Sequence, residues 1–178
     1  MFSRWFSRNA PPLPDTSAWW HDANTAAAAP DVSRIAALRA RVVDQALAPD
    51  IAESQEEMLD GLERLLALAQ APALPVVATQ HRVIGQAVCH FLAPASLIDQ
   101  VDAAGKLFVT AERLVFAAGP ASVVQQWPWH GVAAITREER DVVVGLRGRP
   151  AAARVRLNTY GDALMVQVLA QRLRANRP

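Results

Sequence analysis

The spacing of apolar residues changes once along the chain, from a helical period to a strand-like alternation, and that change divides it into two parts. Asp15, Thr16 and Ser17 offer N-caps for a helix containing Trp19 and Trp20, which Pro30 interrupts. Asp31 can cap a second helix in which Ile35, Leu38, Val42 and Ala46 recur every three or four residues. Pro49 closes that helix and Asp50 caps a third. The third carries Ile51, Met58, Leu62, Leu65, Leu66 and Ala69 on one side, with Glu53, Glu56, Glu57, Asp60 and Glu63 elsewhere. Residues 1–14, ending in Pro11, Pro12 and Pro14, read as a flexible tail. Residues 15–75 read as a helical segment whose last five residues are a linker.

Beyond residue 80 the pattern predicts seven short strands, at 86–92, 105–110, 113–117, 122–129, 132–137, 141–147 and 152–159. Leu107 and Val109 share one face of the second strand, and Leu114 and Phe116 share one face of the third. Val142, Val144 and Leu146 repeat the arrangement in the sixth, and Val155 and Leu157 in the seventh. Such inward stripes on every strand fit a small closed barrel whose open end a helix can plug. That helix begins at Gly161-Asp162 and runs to about Arg174. Its apolar residues leave a narrow polar stripe of Gln167, Gln171 and Arg174, so its apolar arc is far wider than one packing face requires. A second surface must cover it: the N-terminal helices first, a second copy of the chain otherwise.

Composition refines this picture little. Net charge is +1, but residues 1–80 carry six basic groups against ten acidic ones, and residues 81–178 carry twelve against seven. An acidic helical part and a mildly basic strand-rich part follow, with too little positive charge to imply nucleic-acid binding. Lys106 is the one lysine, and the richness in arginine and alanine fits a GC-rich bacterial genome. The lone Cys89 excludes an internal disulfide and makes a reducing compartment the expectation. No signal peptide or transmembrane run is evident, so a cytoplasmic protein, peripheral to the inner membrane at most, is expected.

The order of elements carries a resemblance. Gly105, Leu107, Thr110, Arg113, Leu114 and Phe116 form a Gly-x-Leu-x-x-Thr-x-x-Arg-Leu-x-Phe hairpin. An aromatic-rich stretch follows from Trp127 to Ile135, then Tyr160, Asp162, Ala163 and Leu164 at the start of the last helix. Residues 80–176 thereby resemble the GRAM and bacterial pleckstrin-homology families. With the N-terminal helices read from periodicity, the expected chain is α+β: helices, then a seven-stranded pleckstrin-homology-like barrel capped by a C-terminal α-helix. The resemblance implies a binding module and not an enzyme. Relatives that bind phosphoinositides place basic residues around the loop between the first two strands. Here that loop, 93–104, carries Asp99 and Asp102 and no basic residue, with Lys106 just after it. The expected partner is therefore an unidentified protein, with an anionic membrane surface as the alternative.

Four arginines, Arg147, Arg149, Arg154 and Arg156, flank the turn between the sixth and seventh strands and could grip phosphate or carboxylate oxygens. A solvated arginine face is the competing reading. Phe2, Arg4, Trp5 and Phe6 mix aromatic and basic side chains that can seat in a bilayer interface, or dock back on the protein. Trp127 and Trp129 share a face of the fourth strand, where Pro128 marks a sheet edge; barrel packing is the expectation. Cys89 and His90 are adjacent on a strand and point to opposite faces, and they lack the spacing of a zinc site or nucleophilic pair. No cofactor, metal or catalytic residue is expected.

Overall fold

The computed structural model describes residues 15–44, 47–98, 103–118, 124–150 and 152–175. Three helices lead the chain: α1 (Ser17–Ala28), α2 (Val32–Asp44) and α3 (Pro49–Gln70). Asp31 caps α2 as expected, its Oδ1 accepting the Arg34 N–H at 3.0 Å. Asp50 does not cap α3. Pro49 opens that helix instead of closing the one before it, since proline at the first helical position gives up an N–H that has no partner there anyway.

Seven antiparallel strands follow: β1 (Cys89–Leu97), β2 (Ala104–Thr110), β3 (Arg113–Ala118), β4 (Val124–Pro128), β5 (Val132–Glu138), β6 (Asp141–Leu146) and β7 (Ala153–Leu157). The helix α4 (Tyr160–Ala175) closes the chain. The order matches what the pleckstrin-homology resemblance implies, with one correction: the sheet is not closed. Its ladder runs β4-β3-β2-β1-β7-β6-β5, and β4 and β5 are its two ends. The fourth strand stops at Pro128, and Trp129–Gly131 form a 3-10 turn, so Trp129 is not a strand residue; the expected start at 122 lies outside the described residues.

The first strand lies later than its apolar run indicates, because Ala93, Pro94 and Ala95 have weak strand preference. Tertiary pairing overrides that preference. β1 pairs with β2 along its length and with β7 only from Ala95 to Leu97, so Pro94 sits where β7 has ended and lacks an N–H that no neighbour needs. Residues 76–88, of which 86–88 were expected to open the first strand, form a strap across the outer face of β2 and β3. Val77, Val83 and Ile84 there enclose Phe108, Val115, Ala117 and Cys89 in a small second core. The Val77 N–H donates to the Cys89 carbonyl at 2.8 Å, and His81 stacks on Phe108 with ring centroids 4.9 Å apart.

The hairpin motif has a physical reading at each end. A Cβ on Gly105 would stand 2.1 Å from the Ala117 carbonyl oxygen, so only glycine lets β2 and β3 meet there. At the other end, the buried Thr110 hydroxyl donates to the Arg113 carbonyl at 2.8 Å and accepts the Glu112 and Arg113 N–H groups at 3.3 and 3.1 Å. Trp129 Nε1 then bridges the Thr110 and Ala111 carbonyls.

The main core is continuous from the helices into the sheet, running from Trp19, Leu38 and Leu62 through Leu107 and Phe116 to Val166 and Leu169. α4 lies between the two layers, with the sheet on one side and α3 across its other face. Gly61 of α3 and Gly161 of α4 meet at the crossing. A Cβ on Gly61 would lie 2.5 Å from the Gly161 Cα, and one on Gly161 would lie 2.6 Å from the Glu57 carbonyl oxygen. Glu57 Oε2 also accepts the Tyr160 N–H at 3.1 Å, placing a carboxylate at the positive end of α4. Arg64 pairs with Asp162 at 3.0 Å and places its guanidinium over Phe91.

Gly61→Ala should therefore lower stability by about 1–3 kcal/mol through overpacking, against a gain of about 1 kcal/mol in helix propensity. Urea unfolding followed by circular dichroism measures the net effect, a loss of up to about 2 kcal/mol; a raised midpoint contradicts the crossing. Thr110→Val keeps the shape and removes the turn's hydrogen bonds, so a loss of about 1–3 kcal/mol is expected in the same assay.

Candidate binding groove

The four arginines marked by the sequence do not form one cluster. β6 and β7 pair with Asp141 opposite Arg156 and Val143 opposite Arg154, whereas Arg147 and Arg149 lie beyond the other end of β6. Arg147 lies six positions after Asp141, about 20 Å at strand rise. The expected four-arginine site is thus divided by the length of the hairpin.

Arg154 and Arg156 are neutralised. Arg156 Nε and Nη2 reach the two Asp141 carboxylate oxygens at 2.7 and 3.1 Å, a bidentate pair. Arg154 reaches Asp141 at 3.2 Å and Glu138 at 2.6 Å. Burial of Asp141, which is 5% exposed, pushes its carboxyl up, but hydrogen bonds from Arg156 and then Arg154, with their charges, outweigh that and hold it below its ordinary value. Glu138 and Asp141 each carry one negative charge against these two cations, so this end of the hairpin has little charge left for an outside anion.

Arg147 and Arg149 are exposed and have no ion-pair partner among the described residues. Local backbone fixes their place. The Arg147 N–H donates to the Gly131 carbonyl at 2.9 Å, and Gly148 turns the chain with a φ of 70°. This holds the turn against the 3-10 segment after β4. Together they line a groove of about 480 Å³ with Gln125, Gln126, Trp127, Pro128, Gly131 and Leu146. Trp127 is buried at its margin, and Gln125 and Gln126, neighbours on β4, line it together with Arg147 and Arg149. The glutamines were not marked by the sequence reading. Their signal was Pro128, which identified β4 as an edge and hence Gln125 and Gln126 as residues of a strand paired on one side.

A second cavity of about 260 Å³ lies between α1 and α2. Its charged residues are already matched, Arg41 with Asp22 at 2.6 Å and Arg34 with Asp31 at 3.1 Å, so it offers a ligand little unpaired charge.

The remaining candidates resolve as packing. Trp127 and Trp129 are both buried. Cys89 is 2% exposed among apolar side chains, burial raises its thiol above the ordinary value, and its Sγ donates to the Phe91 carbonyl. Such a thiol is a poor nucleophile. His90 Nδ1 lies 2.8 Å from the Pro75 carbonyl, which can only accept, so that nitrogen carries the proton. Among the described residues no three His, Cys, Asp or Glu side chains group as metal ligands, and no helix is long and apolar enough to cross a membrane. Phe2, Arg4, Trp5 and Phe6, together with Asp99 and Asp102, lie outside the described residues.

No family model matches the chain, and no curated protein is found similar to it. Among solved structures it is similar to the N-terminal PH domain of Vps36, at 11% identity over 57% of this chain and 92% of that one, with a TM-score of 0.46. It is also similar to a chain of the 8S snRNP assembly intermediate, at 12% identity over 58% and 91%, TM-score 0.41. A third is the FERM and C-terminal domain complex of Drosophila Merlin, at 11% identity over 92% of this chain and 58% of that one, TM-score 0.41. At these scores the likenesses say nothing about a ligand, and the architecture rests on the strand ladder and closing helix themselves.

The Asp141 cluster gives a pH prediction. A carboxyl held below its ordinary value of 3.8 stabilises the fold fully above that value, and the contribution is lost as pH falls through the lower, folded value. Asp141→Asn should lower the melting temperature at neutral pH, and the gap from the unaltered chain should close below pH 3.8. A gap that persists unchanged into strong acid contradicts the ionic reading.

Proposed function

We infer that the chain is a non-catalytic binding module of the GRAM-like or bacterial pleckstrin-homology kind, working in the bacterial cytoplasm through contact with an acidic protein partner. The observation that carries this reading is the contrast between the two arginine pairs. Arg154 and Arg156 are matched by Glu138 and Asp141, whereas Arg147 and Arg149 have no ion-pair partner among the described residues and stand at the rim of a polar groove. Exposed guanidinium groups beside glutamine amides suit carboxylates, which they can hold bidentately. The buried, raised Cys89 thiol supports a non-catalytic role. The alternative is peripheral attachment to anionic lipid through Phe2, Arg4, Trp5, Phe6 and the same two arginines. Self-association through α4 is a weaker expectation, because α3 already lies across the face that the sequence left open.

The test uses the full chain on a peptide array of varied charge, beside sedimentation with phosphatidylglycerol vesicles. Retention of acidic peptides by the unaltered chain, and its loss in the Arg147→Ala, Arg149→Ala double variant, is the expected result. Salt-sensitive sedimentation with vesicles and no peptide retention overturns the protein-partner reading in favour of the membrane.

A further inference from the structure

We propose that the free edge of β4 takes an eighth strand, an extended acidic segment of a partner protein, with Arg147 and Arg149 holding its carboxylates. This rests on the groove being the binding surface, and it adds the backbone as the second half of the recognition.

The pairing register dictates which backbone groups are available. The Trp129 N–H donates to the Glu112 carbonyl at 3.2 Å, and the β3–β4 partners continue through Leu114 opposite Trp127 and Phe116 opposite Gln125. In an antiparallel ladder the hydrogen-bonded pairs recur every second residue. The N–H and C=O groups of Trp127 and Gln125 therefore point at β3, and those of Gln126 and Val124 point away from it. Pro128 holds the next outward position, where an N–H would have no ladder partner, and it ends the available edge. No strand pairs with this edge among the described residues. The other end of the sheet is different: α4 covers carbonyls of β5, with Gln171 Nε2 donating to Ile135 at 3.0 Å and Arg174 Nη1 donating to Ala133 at 2.6 Å. Of the two sheet ends, β4 is the one that α4 does not cap in this way.

Charge and hydrogen-bond chemistry fix the class of occupant. An added strand satisfies N–H and C=O groups together, and its alternation puts every second side chain on one face. Acidic residues at alternate positions would then meet Arg147 and Arg149, which line the groove beside β4. A lipid phosphate offers acceptors to the arginines but no N–H for the outward Gln126 carbonyl.

The experiment titrates the full chain, labelled with nitrogen-15, with a capped octapeptide of alternating valine and glutamate. The Val124 and Gln126 amides should shift and become protected from hydrogen exchange. The Arg147→Ala, Arg149→Ala double variant should bind roughly three- to tenfold more weakly, as expected for the loss of two exposed ion pairs. Two further peptides, N-methylated at every valine or at every glutamate, should differ: one binds and the other does not, because only one set of N–H groups faces β4. Binding that shifts the arginine side-chain signals while Val124 and Gln126 exchange freely, or equal binding of both methylated peptides, overturns strand addition and leaves the groove intact as a site. No shift at millimolar peptide overturns both. Protection of the same amides by phosphatidylglycerol vesicles and not by peptide assigns the groove to a membrane.

Discussion

The close crossing of α3 over α4 at Gly61 and Gly161 is the constraint on which the rest of the structure depends. Helix backbones approach this closely only where neither residue has a Cβ, and the approach brings Glu57 onto the first N–H of α4 and Arg64 onto Asp162. With α3 seated, α1 and α2 pack behind it, where Trp19 Nε1 donates to the Leu38 carbonyl at 3.1 Å and Trp20 stacks on Tyr160 with centroids 4.7 Å apart. Arg137 of β5 reaches Asn24 of α1, and Arg140 lies over Tyr160, so the helical layer also grips the sheet directly. The helical segment and the sheet thus share one core.

Much of this was legible because it follows from periodicity. The helices before residue 75, the inward apolar stripes of β2, β3, β6 and β7, and the excess apolar arc of α4 are all local patterns, and the arc correctly demanded a second packing surface. The glycines at the crossing were not legible, since a glycine within a helical pattern says nothing about which backbone approaches it. The strap was missed for a different reason. Residues 76–88 have no period of their own, and their role is written in β2 and β3, where Leu107 to Val109 and Leu114 to Ala118 are apolar without alternation. Such runs indicate strands buried on both faces, so Phe108 and Val115 already required a cover.

The candidate site was legible only in part. Arginine count and the position of the turn drew attention to the right hairpin, but one-dimensional proximity merged two ends of it. Strand length separates them, and the pairing partner decides their fates. Asp141, directly opposite Arg156, neutralises one end, while Arg147 and Arg149 extend past the strand to meet β4. That meeting is a long-range consequence of an open sheet. A closed barrel would have paired β4 with β5 and removed the edge.

A single cooperative core thus stands beside a β4 edge that no described strand covers, and native-state hydrogen exchange across a urea series reads both. The slowest amides of α3, α4 and β1 should merge into one global unfolding isotherm, while the outward amides of Val124 and Gln126 exchange from the folded state without it. Amides of α1–α3 that exchange through a separate opening, at far lower urea than those of β1 and β2, would contradict the shared core. Full protection of Gln126 in the free protein would contradict the open edge.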